Sequence, residues 1–89
     1  MIHVYPVPTA EFTAPLSSSI MNPTVQFTNS SVNGSTYLWD FGDLTSTSNT
    51  STLVNPTHTY PEVGTYCTTL MVTSSHGCVD TSNLCIVID

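Results

Sequence analysis

Four stretches of this chain alternate with a period of two, and none follows a helical period. Thr24 to Thr28 sets Val25 and Phe27 on one face, and the stretch from Thr36 does the same with Tyr37, Trp39 and Phe41. Thr65 to Ser74 aligns Tyr66, Thr68, Leu70 and Val72, and Asp80 to Asp89 aligns Leu84, Ile86 and Ile88. Successive side chains of a strand point to opposite faces, so each stretch reads as a strand with one buried side. Short strands of this kind, separated by regular turn signals, predict an all-β fold: an Ig-like antiparallel β-sandwich of six to seven strands.

The composition narrows what such a sandwich can do. The chain has 89 residues, enough for one small core and too few for two. It contains no Lys or Arg against six acidic residues, for a net charge of −6. Without cations there is no ordinary way to neutralise phosphates, which sets aside nucleic acid and anionic membrane as partners. No apolar run approaches the roughly 18 residues of a membrane span, so membrane insertion is not expected. The first residues lack the basic start and apolar core of a signal peptide. Hydrophobic residues make up 39% of the chain, which argues for a folded domain over a disordered one.

Residues 1–8 are apolar and interrupted by Pro6 and Pro8, so they read as a linker or as the end of a preceding unit. Met1 joined directly to Ile2-His3-Val4-Tyr5 reads as an initiator ahead of a segment from a longer protein. Thr9 to Thr13 is expected as an edge strand anchored by Phe12, with Pro15 and Ser17-Ser18-Ser19 breaking the pairing. Asn33-Gly34 is a tight-turn signal and predicts a hairpin between the strands on either side. Gly42 to Asn55, rich in Ser, Thr and Asn, is expected to be a mobile surface loop. A short strand over Pro56 to Tyr60 and a turn over Pro61 to Gly64 lead into the strongest strand, which the His76-Gly77 turn joins to the last one. Pairing of the first and last strands would tie both ends into the fold.

Tyr37-Leu38-Trp39-Asp40-Phe41-Gly42-Asp43 resembles the Y-x-W-D-F-G-D signature of PKD (polycystic kidney disease) domains. Asn55-Pro56-Thr57-His58-Thr59-Tyr60, Gly64-Thr65-Tyr66 and Leu70-Met71-Val72 resemble that family's later motifs, in the same order. The resemblance covers residues 9–89, and Leu44 departs from it where the family usually has Gly. It implies an Ig-like sandwich that serves as an extracellular, non-catalytic spacer in a surface or secreted multidomain protein, as one repeat of an adhesin, stalk or filament. The alternative it leaves open is a protein- or glycan-binding accessory module attached to a secreted enzyme. The segment Val4 to Phe12 looks like the joint between tandem repeats in exported proteins of Bacteroidetes-like bacteria, so neighbouring repeats of the same protein are the expected partners, beside a protein or polysaccharide ligand.

Phe27, Tyr37, Trp39, Phe41, Tyr60, Tyr66, Leu70 and Val72 are expected in the core. Sugar stacking by the aromatics is the competing role, but their positions on the inner faces favour packing. Tyr66, just after Gly64 at the start of a strand, has the placement of the tyrosine corner of Ig-like sandwiches. Asp40 and Asp43 are the candidate ligands for a calcium ion, since paired carboxylates and loop carbonyls suit a hard cation. The competing reading is that they accept backbone hydrogen bonds and fix the turn, which requires no cofactor. His3, His58 and His76 lack the tight spacing of a zinc site, and His58 is expected to bond within the fold. Many serines are present without a recognisable nucleophile, base and acid around any of them, so no enzyme is expected. Glycosylation-type triplets begin at Asn29, Asn33 and Asn49.

Strand alternation also pairs the cysteines. With Tyr66 and Leu70 facing in, Cys67 faces out, and Leu84 and Ile86 facing in put Cys85 out as well. A hairpin centred near His76 brings these two opposite each other, while Cys78 lies beside the turn and stays free. Closing a loop of this length stabilises a domain by about 3 kcal/mol.

Overall fold

The strands form where the alternation predicts them, but several take partners that are distant in sequence. The structure, a computed structural model, describes residues 7–44, 46 and 49–89. The expected linker up to residue 8 therefore falls almost wholly outside the described residues. The strands are β1 (Phe12–Thr13), β2 (Ser17–Ser18), β3 (Thr24–Gln26), β4 (Thr28–Asn29) and β5 (Thr36–Asp40), followed by β6 (Thr50–Ser51), β7 (Thr57–Thr59), β8 (Gly64–Thr73) and β9 (Val79–Ile88). No helix occurs among the described residues.

The β8–β9 hairpin is the spine of the molecule, its register running from Thr73↔Val79 beside the turn to Gly64↔Ile88. Around it the larger sheet takes the order β2-β9-β8-β5-β6. The smaller layer consists of β1 paired with β4 and β3 paired with β7, with only Phe27 separating β3 from β4. Val25 and Phe27 point from this layer into the core, as the period-two pattern requires, and meet Trp39, Leu70, Val72, Ile86 and Ile88 from the larger sheet. The Phe12 ring stands edge-on to Trp39 at 5.0 Å, and Phe27 lies 5.4 Å from the same ring. Each fully buried side chain of this size contributes about 1.5–3 kcal/mol of transfer free energy, so this aromatic cluster is the main force holding the layers together.

Five sequence expectations are corrected. The first strand does not pair with the last: β1 joins β4 in the smaller layer, and β2 is the strand beside β9. Asn33-Gly34 does not close a hairpin: β3 pairs with β7 and β5 pairs with β8, so the chain crosses here from one layer to the other. Asn33 does adopt the positive φ of the turn signal, 61°, but it serves this crossover. Ser17 and Ser18 do not end the pairing but begin a new one, beside Val87 and Ile88. Pro15 lies between the two pairings, and lacking an N–H it cannot join either ladder, which suits the switch from β1 in the small layer to β2 in the large one. The β2–β9 pairing is also parallel, so the sandwich is not antiparallel throughout. Finally, the polar stretch from Gly42 to Asn55 contains β6, an edge strand on β5; its residues 45, 47 and 48 lie outside the described set.

The two ends of the described chain sit at opposite ends of β9. At the start of β9, the Asp80 carboxylate accepts a hydrogen bond from Ala10 N at 2.8 Å, and Thr9 bridges to Val32. At its finish, Asp89 O accepts Ile20 N at 2.7 Å and Asp89 N donates to Ser18 O at 3.0 Å. Asp80 is the second residue of the ten-residue β9, and Asp89 directly follows its last.

Candidate functional site

The motif residues converge on one bracket where β5 ends. Trp39 is held in the core by ring contacts and by Nε1, which donates to Leu53 O at 2.8 Å. The chain then turns at Gly42, whose φ of 73° suits glycine. A Cβ at this position would also collide with the Cys67 backbone carbonyl, so both conformation and space require glycine.

Asp40 and Asp43 take different roles around that turn. Asp40 is exposed, and its Oδ1 accepts Gly42 N at 2.9 Å and Asn49 Nδ2 at 3.0 Å. Asp43 is buried, and its Oδ2 lies 3.0 Å from His58 Nε2. The Asp43 backbone N donates to Asn49 Oδ1 at 2.7 Å, so the Asn49 amide bridges both aspartates. No cluster of three or more His, Cys, Asp or Glu that could hold a metal occurs among the described residues. A calcium ion between these carboxylates would have to compete with His58 for Asp43 and with Gly42 and Asn49 for Asp40.

His58 stacks on Phe41 with centroids 4.5 Å apart and meets Tyr60 edge-on at 4.7 Å. The Tyr60 hydroxyl donates to Phe41 O at 3.1 Å and lies 3.0 Å from Thr68 Oγ1, which itself reaches Phe41 O at 3.3 Å. Burial raises the Tyr60 pKa above its ordinary value of 10.0; the Thr68 hydrogen bond works against the rise, and the charges of Asp43 and Tyr66 add to it. The Tyr66 hydroxyl donates to Glu62 O at 2.9 Å, the backbone contact of a tyrosine corner. Phe27, Trp39, Phe41, Tyr60, Leu70 and Val72 are buried, while Tyr37 and Tyr66 are partly buried against that cluster.

Chemically, the bracket satisfies buried polar groups and positions rings. Asn49 enters the sequence reading only as the start of a glycosylation-type triplet; its bridging role leaves no signal there, because one Asn in a Ser/Thr/Asn-rich stretch looks like any other. Asp80, which holds Ala10, was missed for the same reason. Leu44, the departure from the family signature, is 92% exposed, so the change of residue leaves the packing of the bracket intact.

Cys67 and Cys85 form a disulfide across β8 and β9, directly opposite each other on the outer face of the larger sheet. Cys78 is a free, half-buried thiol beside the hairpin turn, where its N–H donates to Ser74 Oγ at 3.2 Å. His76 N, in the same turn, donates to Ser74 Oγ at 3.3 Å and so belongs to a different part of the fold from His58.

Comparison with known proteins agrees with this architecture. The PKD1 domain of the metalloprotease PrtV from Vibrio cholerae superposes with a TM-score of 0.75 at 34% identity, covering 93% of this chain and 98% of that one. The PKD1 domain of Epp from Vibrio anguillarum gives 0.77 at 25% identity, covering 94% and 95%. A structure from work on carbohydrate-binding modules of the β-sandwich superfamily gives 0.74 at 28% identity, over 93% of this chain and 34% of that one. The collagenase ColA of Bacillus cereus is 48% identical over 65 residues, which span 67% of this chain and only 6% of that protein. With the PKD domain family model matched from residue 4 to residue 88, this chain belongs to the PKD domain family.

Proposed function

We propose that this domain is a non-catalytic extracellular spacer that holds its neighbours apart within a multidomain surface or secreted protein. The observation that carries the reading is the placement of the two ends: Thr9 pairs with Val32 and the next residue, Ala10, donates to Asp80 near the start of β9, while Asp89 is bonded to Ser18 and Ile20 at its finish. A module held in this way adds a fixed length between whatever precedes and follows it. The disulfide supports an oxidising, extracellular setting, where such bonds persist. The polar side chains of the motif bracket are occupied with each other and with backbone, which supports a structural role for them. Tandem repetition of the same unit belongs to this proposal. Small-angle scattering of one, two and three domains joined in series tests it: a maximum dimension that grows by a constant increment supports the spacer, and particles that fold back on themselves refute it.

A second reading, an accessory module that binds protein or glycan, is favoured by the similarity to the structure from work on carbohydrate-binding modules. The outer face of the larger sheet is the surface available for it, with exposed Leu38 beside Met71 in the register and Thr69 beside Asn83. Co-sedimentation with insoluble polysaccharides and with protein fibres separates the two readings. Saturable retention that Leu38→Asp abolishes selects the binding module.

A further inference from the structure

Asn33 and Gly34 do more than change layer. Asn33 is exposed and is the one non-glycine residue with positive φ among the described residues. Gly34 is fixed by packing, since a Cβ there would stand 2.5 Å from Val72 Cγ1 and 3.0 Å from Tyr37 Cε1. Asn is among the few side chains that tolerate a left-handed backbone. The crossover therefore holds an Asn-Gly dipeptide that neither position can readily abandon.

That dipeptide is chemically labile. The backbone nitrogen of Gly34 can attack Asn33 Cγ, and glycine offers no side chain to obstruct the approach. The new N–Cγ bond closes a five-membered succinimide, the Cγ–Nδ2 bond breaks, and ammonia leaves with the proton from the Gly34 N–H. Water then opens the ring at one of its two carbonyls, giving either aspartate or isoaspartate at position 33. No hydrogen bond engages the Gly34 N–H among the described residues, and the contact from Asn33 Nδ2 to Val7 O, at 3.4 Å, is long.

We propose that Asn33 is a site of spontaneous deamidation in the folded protein. The other five asparagines are less suited to the reaction. Asn22 and Asn55 precede prolines, which have no N–H to give up. Asn49 is held by Asp40 and by Asp43 N, with the branched Thr50 following it. Asn29 is half-buried with its Nδ2 enclosed, and Asn83 lies within the β9 ladder. The two products differ in consequence. Aspartate keeps the backbone length and tolerates positive φ, so it preserves the crossover while adding one negative charge to a chain already at −6. Isoaspartate inserts a methylene into the backbone beside Val72 and Tyr37, where there is no room even for a Cβ.

The test is an incubation of the folded protein at mildly alkaline pH, in material with an unmodified Asn33-Gly34-Ser35 triplet, followed by chymotryptic mapping with detection of isoaspartate. The expected result is conversion at position 33 before any other asparagine, faster as pH rises, and a lower melting temperature for the isoaspartate fraction than for the Asn33→Asp variant. Conversion of a different asparagine first overturns the proposal. So does an intact Asn33 in folded protein under conditions where a peptide of the same sequence converts, because the fold would then protect the site.

Discussion

His58 Nε2 lies 3.0 Å from Asp43 Oδ2, and both side chains are shut away from solvent between β7 and the turn that follows β5. Removing one partner leaves the other buried without it, and a buried polar group deprived of its hydrogen bond costs about 1–3 kcal/mol. Asp43→Ala should therefore lower the unfolding free energy by about 2 kcal/mol or more in urea titration. Asp43→Asn, which keeps an acceptor toward His58, should cost less.

Tyr60 contributes both a hydroxyl and a pH dependence. Tyr60→Phe removes the donor to Phe41 O but leaves Thr68 within reach of the same carbonyl, so the expected loss is about 1 kcal/mol at neutral pH. The folded pKa is raised above the unfolded value of 10.0, so the folded state keeps its proton where the unfolded state releases it. The stability linked to this group is complete below pH 10.0 and is lost as pH rises through the raised folded value. Alkaline denaturation of Tyr60→Phe should accordingly show a shallower fall in stability above that pH than the parent.

Reduction of the disulfide, or a Cys67→Ser and Cys85→Ser double variant, should lower stability by about 3 kcal/mol. Cys78→Ser should leave the cross-link intact. Urea titration checks the first statement, and peptide mapping without reductant checks the second, with a protease other than trypsin, because the chain has no Lys or Arg for trypsin to cut.

Gly42→Ala combines a left-handed backbone with a collision against the Cys67 carbonyl. A loss of more than about 2 kcal/mol is expected, or failure to fold. Thermal unfolding of the variant beside Gly77→Ala separates the two contributions, since Gly77 shares the positive φ but has open space around its Cβ position.

Calcium should leave the melting temperature unchanged, because Asp40 and Asp43 already serve Gly42, Asn49 and His58. A saturable rise with calcium, lost in Asp40→Ala, would establish a site instead.

The period-two pattern made the strands and their inner faces legible, since burial on one face imposes it directly. Pairing partners were less legible because they depend on which layer each strand joins. The Asn33-Gly34 signal describes a local backbone shape, and that shape serves a crossover between layers as readily as a hairpin. Ser17 and Ser18 carry no hydrophobic period, so a strand held only by backbone bonds to β9 left no trace in the sequence. At the site, Asp43 and His58 were each singled out, but for different roles. Fifteen residues separate them, and only the folding of β7 against the turn after β5 joins them.

Trp39 is the single tryptophan, has no exposed surface, and sits against Phe12 and Phe27 of the opposite layer. Its emission is therefore an internal gauge of the gap between the layers. A ligand that settles on the outer face of the larger sheet leaves the indole in its dry surroundings and should be optically silent. Any event that admits water between the layers should shift the emission to the red, so one fluorescence trace can distinguish surface docking from loosening of the sandwich.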